Sequence, residues 1–257
     1  MSRIALRSIA LFYLAALLVV PVAMVFYRAF EDGFAAAWDA VTTPPAQHAF
    51  YLTITITLIA VPLNAIFGVL TAWVLARYDF RGKRVLDVLI DLPFAVSPVI
   101  VGLALILVWG RDGWFASTEV IFSMPGMVLA TIFISLPFVV REVLPVLEEE
   151  GTDQEQAAST LGARGRQVFW RITLPTIRWG LTYGVILSTA RAIGEYGAVA
   201  VVSGKISGRT ETMTLYVEDR FQSLDLAGAY AAGVVLALLG ITVLALMTLL
   251  QRRRGRI

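Results

Sequence analysis

The groups in this chain that are equipped for chemistry are mostly charges set inside apolar sequence. Arg191 and Glu195 stand four residues apart in the run 177–202, and Asp87 and Asp91 repeat that spacing in the run 85–109. Side chains four apart share one face of a helix. A charge at bilayer depth costs about 2.5–3.5 kcal/mol on insertion scales unless it is paired or faces water, so Arg191 and Glu195 are expected to point into protein. Two roles fit them equally. Arg191 could add positive potential to a path for an anion, with Glu195 balancing it, or the two could form a structural contact that fixes a gate. Asp87 and Asp91 have a plainer account, because carboxylates in the first turn of a helix are favoured by its dipole. Ser97 offers either a hydroxyl facing a path or an intrahelical hydrogen bond.

Covalent chemistry has no comparable constellation. The sequence holds no cysteine and one histidine, which excludes disulfides, thiol nucleophiles and zinc–thiolate sites. His48 lies in an expected external loop beside Pro44 and Pro45, and a metal site needs three or four convergent ligands. The two Gly-Lys pairs, Gly82-Lys83 and Gly204-Lys205, are followed by Arg84 and Ile206, so neither closes a phosphate-binding loop Gly-x-x-x-x-Gly-Lys-Ser/Thr. The chain is therefore expected to be no enzyme, to hydrolyse no ATP itself and to bind no cofactor or metal.

The elements that must position these charges are membrane helices. Of 257 residues, 58% are hydrophobic and 16% charged, and the mean hydropathy is +0.77, far more apolar than a soluble domain. Crossing a bilayer as helix takes roughly 20 apolar residues. Six such runs occur, at about 8–30, 51–76, 85–109, 125–147, 177–202 and 228–250. The first is too long for a signal peptide and lacks a clear cleavage site, so it is read as a retained helix. Thr53 to Thr57 alternates like a strand, but a lone strand in lipid would leave its backbone unpaired. With a cytoplasmic N-terminus, fifteen Lys and Arg fall on the inner side and five on the outer. The positive-inside rule then sets both termini inside, N-in/C-in. The net charge of only +2 makes no case for nucleic acid.

Outside the membrane, residues 31–50 and 110–124 form loops with Trp38 and Trp114, which suit an interface. In 203–226, Met213, Val217, Phe221 and Leu224 recur at helical spacing opposite Glu218, Asp219 and Gln222. That pattern implies an amphipathic surface helix, either a plug over the helix ends or part of an outer gate or docking contact. Pro62 with Asn64, Pro93 with Pro98, and Pro137 would each free backbone carbonyls, tolerated where neighbours or water satisfy them. Kinks lining a central path are expected at Pro93 to Pro98. Ala229 and Gly233 form a small-x-x-x-small packing pair.

One inner segment is soluble in character, although it lies between two membrane runs. In 153–175, Asp153 is placed to cap a helix with Gln156 completing a box-like pair. Ala157, Ala158 and Leu161 form a small apolar ridge, and Gly162 permits the turn that ends the helix. Arg164-Gly165-Arg166 makes the turn, Val168, Phe169 and Trp170 pack a second short helix, and Pro175 marks entry to the next span. The product is a compact knob whose small side chains let another protein approach its backbone.

This segment resembles the cytoplasmic "EAA" loop of ATP-binding-cassette (ABC) importer permeases, whose pattern is Glu-Ala-Ala, three residues, Gly, nine residues, Ile-x-Leu-Pro. Gln156-Ala157-Ala158, Gly162, Ile172, Leu174 and Pro175 fall at those spacings. Gln156 stands where the family has Glu, so a salt bridge from that position is lost or passes to Glu155. The resemblance implies that Glu155, Gln156, Ala157, Ala158, Leu161, Gly162, Arg164, Ile172 and Pro175 couple to an ATPase. It also implies the type I importer permease fold: all-α, six transmembrane helices. Residues 1–46 would be a first helix and external loop, 47–250 the permease domain with its coupling loop at 148–176, and 251–257 a basic cytoplasmic tail.

Further stretches are similar to the sulfate/thiosulfate permease family, CysW-type subunits. They are Asp91-Leu-Pro-Phe-Ala-Val-Ser-Pro-Val-Ile-Val-Gly102, Leu136-Pro-Phe-Val-Val-Arg-Glu-Val-Leu-Pro-Val-Leu147, Ala190-Arg-Ala-Ile-Gly-Glu-Tyr-Gly-Ala-Val199, and Val201-Val202-Ser203-Gly204 with Gly208, Thr210 and Thr212. What that implies is a bacterial inner-membrane complex moving sulfate or thiosulfate by alternating access. Its partners would be a dimer of ATPase subunits using ATP and Mg, a second, CysT-type permease and a periplasmic sulfate-binding protein, within membrane lipid. Molybdate/tungstate permeases are close relatives and the main alternative. An ion-coupled secondary anion transporter is the alternative of another class, with Glu195, Asp87 or Asp91 carrying protons, but no internal repeat supports it. Ser97, Arg191 and Glu195 are the candidates for the translocation path.

Overall fold

The computed structural model describes residues 3–254, with side chains from 7 to 249 except Ser117. The basic tail at 251–257 lies outside the residues whose side chains are described. Among the described residues the regular structure is helical: α1 (Arg3–Leu14), α2 (Val20–Ala29), α3 (Phe34–Val41), α4 (Pro44–Arg77), α5 (Lys83–Ala95), α6 (Pro98–Trp109), α7 (Met124–Glu150), α8 (Asp153–Thr160), α9 (Gly165–Val168), α10 (Leu174–Ile193), α11 (Gly197–Val202), α12 (Met213–Gln222) and α13 (Leu226–Arg254).

Two junctions are continuous wide turns. Ala15–Val19 joins α1 to α2 and Phe169–Thr173 joins α9 to α10, with Val20 N–H donating to Ala15 O and Leu174 N–H to Phe169 O. In each case a proline, Pro21 or Pro175, follows two residues after the turn. Proline has no N–H for the carbonyl four residues back and its ring collides with it. A local π-turn moves that carbonyl aside and lets the helix run on.

Among the described residues, four helical stretches are long and apolar enough to cross a membrane alone: Arg7–Ala29, Pro44–Arg77, Met124–Glu150 and Leu226–Leu249. A fifth candidate is the pair α5 and α6, bent by 115°. The run 85–109 is thus two helices meeting at a sharp break rather than one kinked helix. Val96 and Ser97 are extended, with ψ of 136° and 133°, the conformation that a following proline favours at Ser97. The run 177–202 is also broken, between Ile193 and Gly197. It does not reach the apolarity of a stand-alone span because α10 carries Arg178, Thr182, Tyr183, Ser188, Thr189 and Arg191.

Contacts divide the chain into two compact units: residues up to Leu52 with Ser207–Leu239, and Thr53–Ile206 with the residues from Gly240. In the second unit α7 is the hub, with 61% of its most apolar stretch buried against 0% for Arg7–Ala29. Val139, Val140, Val143, Leu147, Ile177 and Leu75 form its core. Glycines bring the helices close. A Cβ on Gly184 would lie 2.8 Å from Val139 Cα, one on Gly180 2.5 Å from Glu142 O, and one on Gly68 2.7 Å from Val139 Cβ. This is the close backbone approach that small residues permit in lipid. Gly184→Val is expected to cost at the upper end of the ~1–3 kcal/mol typical of overpacking, seen as a lower yield and lower melting temperature in detergent.

A polar cluster joins the same three helices. Asn64 Nδ2 on α4 donates to Ser135 Oγ on α7 at 2.7 Å and to Ser188 Oγ on α10 at 3.4 Å, and all three residues are buried. In hydrocarbon such groups must find one another.

In the first unit, Met213 and Tyr216 of α12 pack with Ala46, Ala49 and Ala232, and the Tyr216 hydroxyl pairs with Thr43 Oγ1 at 3.2 Å. The expected surface helix is present, but its buried face differs. Met213, Leu215 and Tyr216 are buried, whereas Phe221 and Leu224 are exposed. The helix ends at Gln222 and Leu224 has φ +64°, so the helical register no longer holds at that residue. Gly233 faces Val25 at ordinary contact distance.

Candidate functional site

The knob at 148–176 is built as two short helices around one glycine. α8 begins at Asp153, and the residue before it, Thr152, takes the capping place that the sequence suggests for Asp153. Gln156 N–H donates to Thr152 O at 2.9 Å and Gln156 Nε2 to Thr152 Oγ1 at 2.8 Å. The shift by one residue puts Asp153 and Glu155 in the first turn, where the dipole favours them. At the other end, Ala163 N–H reaches Ala158 O and Gly162 N–H reaches Ser159 O, both at 3.0 Å. This pair of bonds is the Schellman close, which requires a left-handed residue, and Gly162 supplies it at φ +86°. Nothing lies within 4 Å of where its Cβ would stand, so the demand is on conformation and the space in front is free.

Gln156, Ala157, Leu161, Gly162 and Arg164 are exposed, Leu161 at 89%. Beside them a concavity of about 310 Å³ is lined by Ala158, Leu161, Gly162, Val168, Arg171 and Ile172. The second helix is shorter than the sequence suggests. α9 is one turn, and Phe169 and Trp170 fall in the π-turn ahead of Pro175. Val168 is buried, Phe169 packs on Trp73 with ring centroids 5.7 Å apart, and Trp170 is exposed.

Glu155, one position before the motif's first residue, carries the charge. Its carboxylate accepts from Arg77 Nε at 3.0 Å and Nη2 at 3.2 Å, and from Thr173 Oγ1 at 2.8 Å. Gln156 makes only the local bond to Thr152 among the bonds described here.

The charges singled out within the spans are paired. Arg191 Nη1 lies 2.6 Å from Glu195 Oε2, with side-chain exposures of 30% and 2%. The other carboxylate oxygen, Oε1, accepts from Ala198 N–H at 2.9 Å, so Glu195 closes the open end of α11. Asp87 and Asp91 prove not to be first-turn residues. α5 starts at Lys83 with no acid in its first turn, and both carboxylates instead meet Arg141 of α7. Arg141 Nε donates to Asp91 Oδ1 at 2.8 Å and Nη2 to Asp91 Oδ2 at 2.6 Å, while Asp87 Oδ1 lies 2.8 Å from Nη2. Ser97 is exposed at the α5–α6 break and makes no side-chain cap bond.

The two breaks adjoin. A Cβ on Gly197 would lie 2.9 Å from Pro98 Cβ, and one on Gly102 2.7 Å from Val201 Cβ. Pro98, next to Ser97, and Gly197, two residues after Glu195, therefore face each other where α6 packs on α11. The sequence reading missed Arg77, Arg141 and Thr173 as partners. Both arginines count among the fifteen inner-side cations, and no local spacing links them to carboxylates 78 and 50 residues away. The Gly180-x-x-x-Gly184 spacing was a legible signal for close packing on α10.

Residues 64–256 match the family described as binding-protein-dependent transport system inner membrane component. The chain is 50% identical over 256 residues to a sulfate transport system permease protein CysW of Synechocystis sp., covering 97% of this chain and 93% of that protein. It is 38% identical over 250 residues to a sulfate transport system permease protein CysT of Synechococcus elongatus, covering 95% and 90%. A chain of the bacterial alginate ABC transporter, solved with its alginate pentasaccharide-bound periplasmic protein, superposes with a TM-score of 0.78 at 17% identity, covering 97% and 93%.

Proposed function

Because this chain belongs to the family of binding-protein-dependent transport system inner membrane components, we infer that it is the membrane permease subunit of an ABC importer for sulfate. It is a multi-pass protein of the inner membrane and a transport subunit, not a catalyst. The observation that carries the substrate is the near-full-length similarity to the CysW sulfate permease at half identity. The geometry that carries the class is the exposed knob closed by Gly162.

The partners follow the same logic. Similarity to CysT-type chains supports a second, related permease beside this one, and the family's dependence on a binding protein supports a periplasmic carrier of the anion. An ATPase dimer using ATP and Mg would dock at Glu155 to Pro175, with Ala157, Leu161 and Gly162 facing it. Thiosulfate is a second cargo of matching charge and shape. In this reading α10 and α11 together form a sixth crossing, sheltered from lipid by neighbours, and both termini lie in the cytoplasm, as the Lys and Arg distribution favours. Sulfate passes beside the adjoining breaks, where Arg191 offers a partly exposed guanidinium and Ser97 a hydroxyl. Broken helices at mid-membrane suit such a role because their ends are tolerated where they line a cavity.

Deletion of this chain is expected to abolish labelled sulfate uptake in a strain with no other sulfate system. Restoring it should return uptake, with excess molybdate having little effect. Rescued uptake that molybdate suppresses strongly would move the cargo to the molybdate class and leave the ABC architecture standing.

A further inference from the structure

Docking of an ATPase does not by itself call for Arg77, the last residue of α4, yet this side chain is only 10% exposed and fully engaged. Two of its nitrogens hold Glu155, and the third, Nη1, donates to Leu147 O at 2.8 Å. Leu147 belongs to the last turn of α7, whose final carbonyls have no partner within the helix. The guanidinium thus sits at the negative ends of α4 and α7, and the carboxylate at the positive end of α8, each favoured by the dipoles it meets. Thr173 adds the turn before α10 through its bond to the same carboxylate.

The rest of α8 offers little grip. None of its residues is buried, and Asp153, Gln154, Gln156, Ala157, Ser159 and Thr160 are exposed. A bidentate guanidinium–carboxylate pair is directional as well as strong, so it ties the position of α8 to the ends of two membrane helices. We propose that Arg77 is a positioning residue, a strut that carries displacement of the coupling knob into α4 and α7. The proposal rests on reading 148–176 as the coupling loop and assigns the transmission to a residue outside that loop.

The test uses the full complex of this chain, its companion permease, the ATPase and the loaded binding protein in liposomes. It reads anion moved per ATP hydrolysed. For Arg77→Gln the complex is expected to assemble and to hydrolyse ATP at its basal rate, while transport per ATP falls about tenfold, equivalent to ~1.4 kcal/mol. Arg77→Lys keeps the charge but loses the fork and should fall between the two. A ratio at the wild-type value in Arg77→Gln, or loss of the ATPase from the purified complex in both variants, would overturn the strut. Should Arg77→Gln fail to accumulate, Arg77→Lys decides alone, a wild-type ratio counting against the proposal. The wild-type control separates the two readings, because a complex that moves another anion changes the cargo and still reports the ratio.

Discussion

Gly162→Asp is expected to leave the chain in the membrane at near-normal amounts while removing the ATPase from the purified complex and reducing sulfate uptake by more than tenfold. The reason is local. Gly162 holds φ +86°, and a non-glycine residue there pays about 1–2 kcal/mol, less for Asp, which tolerates the left-handed region. Strain alone is therefore too small to unfold a bundle whose core lies elsewhere, around Val139 and Ile177. What Asp adds is a charged side chain in space that is empty, beside the exposed Ala157 and Leu161 that a partner would cover. Burying that carboxylate unpaired would cost several kcal/mol. Gly162→Ala is the control, carrying the strain without the charge, and should lose only a fraction of uptake. Co-purification at wild-type stoichiometry with normal uptake in Gly162→Asp would remove the docking assignment.

Arg191→Ala is expected to lower uptake about tenfold or more, the effect of a ~1.4 kcal/mol rise in barrier, and also to destabilise the protein. The destabilisation follows from leaving Glu195, 2% exposed, without its cation. Breaking a buried pair costs about 3–5 kcal/mol, and the lower end applies because Arg191 is 30% exposed. The double variant Arg191→Ala with Glu195→Gln separates the two effects. Gln keeps an oxygen for Ala198 N–H and removes the stranded charge, so thermal stability should recover. Uptake should stay low if the guanidinium guides the anion. Recovery of uptake together with stability would reduce the pair to a brace for α11.

Much of the fold was legible in composition. Apolar runs of this length had to form membrane helices, since only helices and closed barrels satisfy the backbone in lipid and a barrel strand needs only about 9–11 residues. The pattern around Gly162 announced a helix ending in a glycine turn because that turn's demands are local in sequence. Where the reading failed, the missing information was not local. The run 85–109 looked continuous, but Pro98 disfavours the helical conformation at Ser97, and the size of the resulting bend, 115°, goes with α11 packing against α6 through Gly197 and Gly102. Phe221 and Leu224 fitted an apolar stripe on paper, and only the end of α12 at Gln222 showed that they leave it.

The charges draw the same boundary. The i, i+4 spacing suggested one helix face for Arg191 and Glu195, but α10 ends at Ile193, and Glu195 meets Arg191 from the break before α11. Spacing was equally clear for Asp87 and Asp91 but named no partner, and Arg141 comes to them only because α5 packs on α7. The sequence offers Glu155 as the carboxylate beside Gln156, yet its cation, Arg77, lies 78 residues away at the end of another helix. The sequence by itself determined that this is a membrane permease with a soluble, glycine-turned knob between two apolar runs, since hydropathy, charge distribution and turn chemistry are properties of short segments. Only the tertiary structure decided which charges neutralise one another and where the helices break against each other, because the cost of an unpaired charge is settled by whichever helix packs beside it.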